Sequence, residues 1–399
     1  MQSRKVYLDN SATTIVNAEV IKDMEAYFAN IYGNASSIHS FGRQAKEALN
    51  NSREQIASLL NASVDEIFFT GCGTESDNIA IFGILNAHDF KGHIITTKIE
   101  HHAVLYSCQY LEKNGYNVTY LDVDKDGVIS LEDFKRTVRD DTVLVSIMHA
   151  NNEVGAIQPI EEIGAYLQTI NESRNNKIYF HTDAVQTAGK VHLDVKALKV
   201  DLLAISGHKF YAPKGIGVLY VKKGTKIKPI TFGGSQESEL RPGTENIPYI
   251  VGITKAFEIA NAYLEENNKR VLFLREELKE GVIKKIPEVI INGSGSKAVS
   301  SILNVSFKYI EGEALLVMLD MCGIAASTGS ACAVGLGGSH VLQAMCVDPI
   351  AAQGTIRFSF GCYNTQNDVD YVLEHLPKIV EKLRLMSPMY KGKVLKQGF

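Results

Sequence analysis

The sequence holds no apolar run approaching the ~18 residues that cross a bilayer, so a membrane-spanning protein is not expected. Cysteine is sparse: the six at positions 72, 108, 322, 332, 346 and 362 form no CxxC pair and read as thiols rather than disulfides. No metal site is expected. Neither sign of charge dominates, with 41 Lys+Arg against 45 Asp+Glu, a formal net charge of -4 and no basic stripe, which argues against nucleic acid as a direct ligand. Repeats, low-complexity segments and long linkers are missing too. The opening residues Met1-Gln2-Ser3-Arg4-Lys5-Val6-Tyr7-Leu8-Asp9 lack a signal-peptide apolar region and enter a strand-like stretch at once, so a cytoplasmic location is expected.

What remains is ordinary material for a large folded chain. Hydrophobic residues make up 45% and charged residues 22% of 399 positions, enough for a sizeable core and against disorder. Strand-like runs (Ile67–Thr70, His93–Thr96, Asn117–Asp122, Val143–Met148, Ile178–His181, Leu202–Ser206, Ile216–Tyr220) alternate with helical patterns such as Ser76–Asn86, Ala103–Lys113 and Ile160–Ile170. Such alternation predicts an α/β fold with a mainly parallel sheet, which binds ligands beyond the carboxyl ends of its strands. Near residue 247 the pattern changes to two long helices, Ile247–Asn267 and Lys269–Lys285. Strands Val289–Asn292, Ile302–Phe307 and Thr355–Phe360 follow, mixed with helices Gly312–Met321 and Asn367–Leu385, as in a smaller α+β domain. The expected division is 15–256 for a large domain, with 1–14 and 257–399 forming the small one.

One motif is set aside. Asp122-Val123-Asp124-Lys125-Asp126-Gly127 opens like a calcium-binding loop, but position twelve is Asp133 rather than Glu, and a strand pattern precedes it where a helix is needed. It reads as an acidic turn.

Four strand ends carry chemistry. Lys209 follows the apolar run Leu202–Ile205 within Ser206-Gly207-His208-Lys209. Asp183 ends Tyr179-Phe180-His181-Thr182-Asp183. His101 follows the run that begins at His93. Gly71-Cys72-Gly73-Thr74-Glu75 leaves the strand ending at Thr70 and opens a helix, a ready anion site. An amine, a carboxylate, an imidazole and a glycine-bearing helix N-terminus are what pyridoxal 5'-phosphate (PLP) needs for covalent attachment, pairing of its ring nitrogen, ring stacking and phosphate binding.

These residues resemble the cysteine desulfurases of the NifS/IscS type, PLP enzymes with the aspartate-aminotransferase-like fold (fold type I). The resemblance is nearly end to end. It covers Tyr7–Thr14, Thr74–Asn78, Asn151–Gly155, Asp183–Gln186, Ser206–Lys209, Arg241–Asn246, Ser327–Cys332 and Ile356–Ser359. It implies that Lys209 binds the cofactor covalently and then serves as the base for the substrate α-proton. Asp183 pairs with the ring nitrogen, His101 stacks on the ring, and Gln186 hydrogen-bonds the ring oxygen. Gly73, Thr74, Ser206 and His208 hold the phosphate. Thr244 reaches the cofactor of a neighbouring subunit, which implies a homodimer. Arg357 grips the substrate carboxylate with help from Asn152, a cofactor-site residue as well. Cys332, among Gly329, Ser330, Ala331 and the glycines at 335, 337 and 338, is the thiol that takes sulfur from L-cysteine as a persulfide, leaving L-alanine. A sulfur acceptor or iron–sulfur scaffold protein then collects it, for cluster assembly or tRNA thiolation.

Selenocysteine lyase, or a related PLP lyase, is the alternative chemistry. A sulfur-relay or scaffold protein of weak activity is the alternative class, opposed by the intact set of Lys209, Asp183, His101 and Cys332. Cys108, Cys322, Cys346 and Cys362 read as structural, and Cys72 stays open. The chain departs from the usual family pattern at Cys72-Gly73, His102, Ala212, Phe232, Ala35 and the residues after Ser359, none of them core catalytic groups.

Overall fold

The computed structural model describes residues 4–88, 91–293, 295, 297–328 and 338–390. Twelve strands occur among them: β1 (Val6–Tyr7), β2 (Ile67–Thr70), β3 (His93–Thr97), β4 (Asn117–Leu121), β5 (Thr142–Ser146), β6 (Tyr179–Asp183), β7 (Leu202–Ser206), β8 (Gly217–Val221), β9 (Val289–Asn292), β10 (Ile302–Phe307), β11 (Ile324–Ala325) and β12 (Thr355–Ser359). Seven form one sheet in the order β2-β8-β7-β6-β5-β3-β4. All its pairings are parallel except the two made by β8.

Side chains along these strands alternate between two apolar layers, as a period of two requires when both faces are covered. Ile95, Val145, Phe180, Leu203 and Val218 enter the core on one face. Their neighbours Ile94, Leu144, Tyr179, Leu202 and Leu219 enter the core on the other. Burial on both faces explains why the runs read as nearly continuous apolar stretches.

β9, β10 and β12 form a separate antiparallel sheet, and β1 pairs with β11 in parallel. Their core draws Val6 and Leu8 from the start of the chain and Leu278, Val305, Phe358 and Leu376 from its later part. The N-terminal segment thus returns to the later elements. Asp9 bridges Ser359 of β12, and Ser11 and Ala12 just beyond it meet Lys209 after the end of β7.

Two elements differ from the sequence pattern. Ile247–Asn267 is not one helix: a helix Ile247–Ala262 ends at Tyr263 (φ -107°, ψ 17°), and the next runs Leu264–Lys285. The break falls where the buried face changes partner. Ile250, Ile253 and Phe257 belong to the core of the large sheet, whereas Val271, Leu274 and Leu278 belong to that of the small one. Helices Ala18–Ala29 and Ser40–Leu59 precede β2, in a stretch the strand–helix alternation leaves unread. In the acidic turn after β4, Asp124 Oδ1 accepts from the backbone N–H of Asp126 and Val128, a local cap of the turn. No helix among the described residues is long and apolar enough to cross a membrane.

Candidate active site

A cavity of about 310 Å³ opens at the carboxyl ends of the large sheet. Gly73, Thr74, His101, Asn152, Asp183, Gln186, Ser206, His208, Lys209 and Arg357 all line it. Thr244 does not; it is exposed on its own chain. Cys332 lies outside the described residues.

Lys209 closes a single 3-10 turn, Gly207–Lys209, directly after β7. Its Nζ donates to the carbonyls of Ser11 (2.7 Å) and Ala12 (2.9 Å). Asp183 is the last residue of β6, so its side chain projects where the strand ends. It is buried, and Oδ1 accepts from Val185 N–H at 2.8 Å. Burial pushes this carboxyl above the usual range, while that hydrogen bond and the Lys209 charge oppose the shift. A protonated ring nitrogen opposite it would offset the cost of burial in the same way.

His101 caps the helix His102–Lys113, with Nδ1 accepting from Ala103 N–H at 3.2 Å. Nε2 therefore carries the hydrogen of the neutral ring. Burial, then the charges of Lys209, His102 and His340, push its pKa down to about 4, so it is neutral at ordinary pH.

The helix Gly73–Asn86 begins at the cavity, and its N-cap residue Cys72 makes no side-chain cap. The first backbone N–H groups are thereby left for an anion. Glycine at 73 is a packing requirement: a Cβ there would meet Val185 Cγ2 at 2.7 Å and Ser206 Cβ at 3.2 Å. Thr74, Ser206 and His208 surround this helix end.

Arg357, on β12, is 3% exposed. Its guanidinium donates to the Asn152 carbonyl (2.8 Å) and to Asp9 Oδ1 (3.0 Å), and among the described residues Nε has no partner. A buried, incompletely paired guanidinium at a cavity wall suits a carboxylate ligand.

Amine, buried acid, neutral imidazole and uncapped helix end thus meet at one cavity, and this donor set fits PLP. The carbonyls of Ser11 and Ala12 that hold Lys209, and Asp9 beside Arg357, were not legible as site residues, although Tyr7–Thr14 carries part of the resemblance. Two buried carboxyls were missed as well. Asp77 sits beside His181, with Oδ1 to Nε2 at 3.4 Å, and is raised by burial and by its carboxylate neighbours Asp183 and Glu100. Glu100 accepts from Met148 N–H and Thr97 Oγ1; burial pushes it up to about 8. At the cavity rim His102 stacks on Tyr106 at 4.5 Å and lies 5.1 Å from His340. Asp77 lies one turn after Thr74 on the buried side of its helix; that spacing was the available signal.

Of the cysteines read as structural, Cys108 is buried and pushed up to about 12 by burial, as an inert thiol should be. Cys346 is exposed, at a left-handed backbone position (φ 56°) after the helix His340–Ala344, so packing does not explain it. Cys72 lines the cavity.

A model of the family described as aminotransferase class-V matches residues 6–372. The cysteine desulfurase IscS of Methanosarcina thermophila is 52% identical over 390 residues, covering 97% of this chain and 95% of that protein. The same-named protein of Dictyoglomus turgidum is 48% identical over 387 residues, covering 96% and 97%. Among solved structures, a NifS-like protein superimposes with a TM-score of 0.88 at 41% identity, over 95% of this chain and all of that one (100%). A structure titled SspA in complex with cysteine gives 0.78 at 35% identity, over 90% and 100%. The chain belongs to the class-V aminotransferases and, within them, to the cysteine desulfurases, enzymes that depend on PLP.

Proposed function

We propose that the protein removes sulfur from L-cysteine, releases L-alanine and keeps the sulfur as a persulfide on Cys332. The observation that carries this reading is the meeting of Lys209, Asp183, His101, the Gly73 helix end and Arg357 at one cavity. When bound, PLP supplies an electron sink for charge developing at the substrate Cα. Asp183 would accept a hydrogen bond from the ring nitrogen and so favour its protonated form. Thr74, Ser206, His208 and the N–H groups after Cys72 hold the phosphate. Arg357, steadied by Asp9 and the Asn152 carbonyl, orients the substrate carboxylate. Lys209 Nζ takes the α-proton. His101, neutral and with hydrogen on Nε2, would face the ring without adding charge. The Cys332 thiolate would attack the substrate sulfur, so the sulfur–sulfur bond forms as the carbon–sulfur bond breaks, its electron pair staying on the carbon, which takes up a proton on the way to alanine.

The same reading makes the molecule a cytoplasmic homodimer. It has a large unit, 15–256, and a small unit, 1–14 and 257–399, that carries Cys332. In support of the dimer, Ile38 is 91% and Phe232 87% exposed, and Phe28, Tyr32 and Phe41 are exposed too. Exposed Thr244 fits a role in the other subunit's site. The persulfide passes to a sulfur acceptor, an iron–sulfur scaffold or a tRNA-thiolation protein.

The test is PLP-loaded protein with L-cysteine. Alanine release together with a gain of about 32 Da, one sulfur atom, on the Cys332 peptide supports the reading. Cys332→Ser should bind cysteine, change the visible spectrum and form no adduct. Alanine release by that variant at the wild-type rate would favour a lyase that needs no enzyme persulfide.

A further inference from the structure

A side-chain amide has one accepting and one donating end, and its neighbours decide which way it faces. At Gln186 both neighbours agree. Oε1 accepts from Lys190 Nζ at 3.1 Å, and Nε2 donates to the Ser11 carbonyl at 3.1 Å. An ammonium offers only donors and a carbonyl only an acceptor. Turning the amide over would set donor against donor and acceptor against acceptor.

The backbone of Lys190 is fixed where its amine reaches Gln186. Its N–H bonds the Thr187 carbonyl at 2.9 Å, and its own carbonyl accepts from Asn268 Nδ2 at 2.7 Å. Gly189 before it has φ +70°, and a Cβ there would meet Ala260 Cβ and Phe210 Cβ, each at 2.9 Å. The Ser11 carbonyl also accepts from Lys209 Nζ at 2.7 Å. One hydrogen-bonded path therefore joins Lys190, Gln186, Ser11 and Lys209. Both lysines also line a second, smaller cavity of about 70 Å³.

We propose that Lys190 is a positioning residue of the active site, turning Gln186 so that its N–H₂ rather than its carbonyl is presented on the side of Ser11 and Lys209. This rests on the reading of the main cavity as a PLP site, in which Gln186 meets the ring oxygen. A donor there stabilises the oxygen as an anion; an acceptor would oppose it. Desolvation and the Lys209 and Arg357 charges push Lys190 down to about 7. Once that proton is lost the neutral amine can accept as well as donate, so the orienting effect is strongest below about pH 7.

The test is a pH titration of the visible absorbance of the PLP-loaded protein, with PLP affinity measured by fluorescence. Lys190→Met should raise the midpoint of the absorbance change by about 0.5–1 pH unit and weaken PLP binding about threefold to tenfold. Lys190→Arg, which keeps a donor, should return both toward wild type. In a Gln186→Leu background, Lys190→Met should produce no further shift, because no amide is left to turn. If Lys190→Met does not fold, Lys190→Ala serves as the donorless variant. An unchanged midpoint in the donorless variant overturns the proposal, as does an equal shift with and without Gln186, which would mark a pure charge effect. Wild-type protein that gains no cofactor absorbance overturns the PLP reading itself, and this proposal with it.

Discussion

At Lys209 one amine meets two backbone carbonyls supplied from the first turn of the chain, at Ser11 and Ala12, and those contacts define what its removal should do. Lys209→Ala should abolish desulfuration yet retain weak PLP binding, because the helix end at Gly73 and the side chains of Thr74, Ser206 and His208 stay in place. Turnover at the wild-type rate, followed as sulfide release, would refute the assignment. Arg357 differs in kind: it touches no group that changes bonds. Arg357→Ala should chiefly raise KM for cysteine and lower kcat/KM by roughly 2–4 kcal/mol, the scale of a charge-assisted carboxylate clamp. Unchanged kcat/KM would mean that another group holds the carboxylate. Both residues stand at strand ends or in motifs, which is why the sequence alone could nominate them. Glu100 and the carbonyls of Ser11 and Ala12 could not be nominated that way, and Asp77 offered only its place one turn after Thr74. A buried carboxyl reads like any polar residue of a helix or turn, and a backbone carbonyl carries no sequence signal at all.

The strands show the same limit at the next scale. β2, β7, β9 and β10 match their expected bounds, because apolar runs bounded by polar turns mark strand ends well. The joint at Tyr263 was missed because helical periodicity continues through it. Only the change of packing partner, a tertiary fact, separates the two helices. The helix that opens at Gly73 carries the sharpest expectation for an element. Its end must lie close against Val185 and Ser206 to aim N–H groups at the cavity, and a Cβ would press at 2.7 Å on Val185. Gly73→Ala should therefore shift the helix end, weaken PLP binding by about tenfold or more and leave the melting temperature of the cofactor-free chain within a few degrees. Equal PLP affinity in fluorescence titration would show that the cradle lies elsewhere.

Assembly and pH response belong to the whole molecule. Sedimentation at low micromolar concentration should give twice the chain mass of 43.9 kDa; a fully active monomer would refute the dimer and the role given to Thr244. The pH response follows from groups buried in the wrong charge state for an unfolded chain. His101, His149 and His181 are pushed by burial to about 4, about 4 and about 3, against a usual 6.5. Below that usual value the unfolded chain binds protons that the folded chain refuses, so stability falls as pH drops from 6.5 toward 4. Glu100 works in the opposite direction. Burial raises it from 4.5 to about 8, so across that window the folded chain keeps a proton the unfolded chain has lost. Its contribution therefore declines as pH rises from 4.5 to about 8. At about 1.4 kcal/mol for each tenfold change in proton affinity, the upper bound is several kcal/mol. Several such histidines outweigh one carboxyl below pH 6.5, so the cofactor-free chain should melt highest near neutral pH rather than in acid. Glu100→Gln separates the two arms. The amide oxygen can still accept from Met148 N–H and Thr97 Oγ1, while the titrating proton is gone. Its melting temperature should fall on acidification as in wild type but lose less than wild type between about pH 6 and 8. An alkaline decline as steep as in wild type would mean that Glu100 is ionised in the folded protein and that another buried group sets the slope.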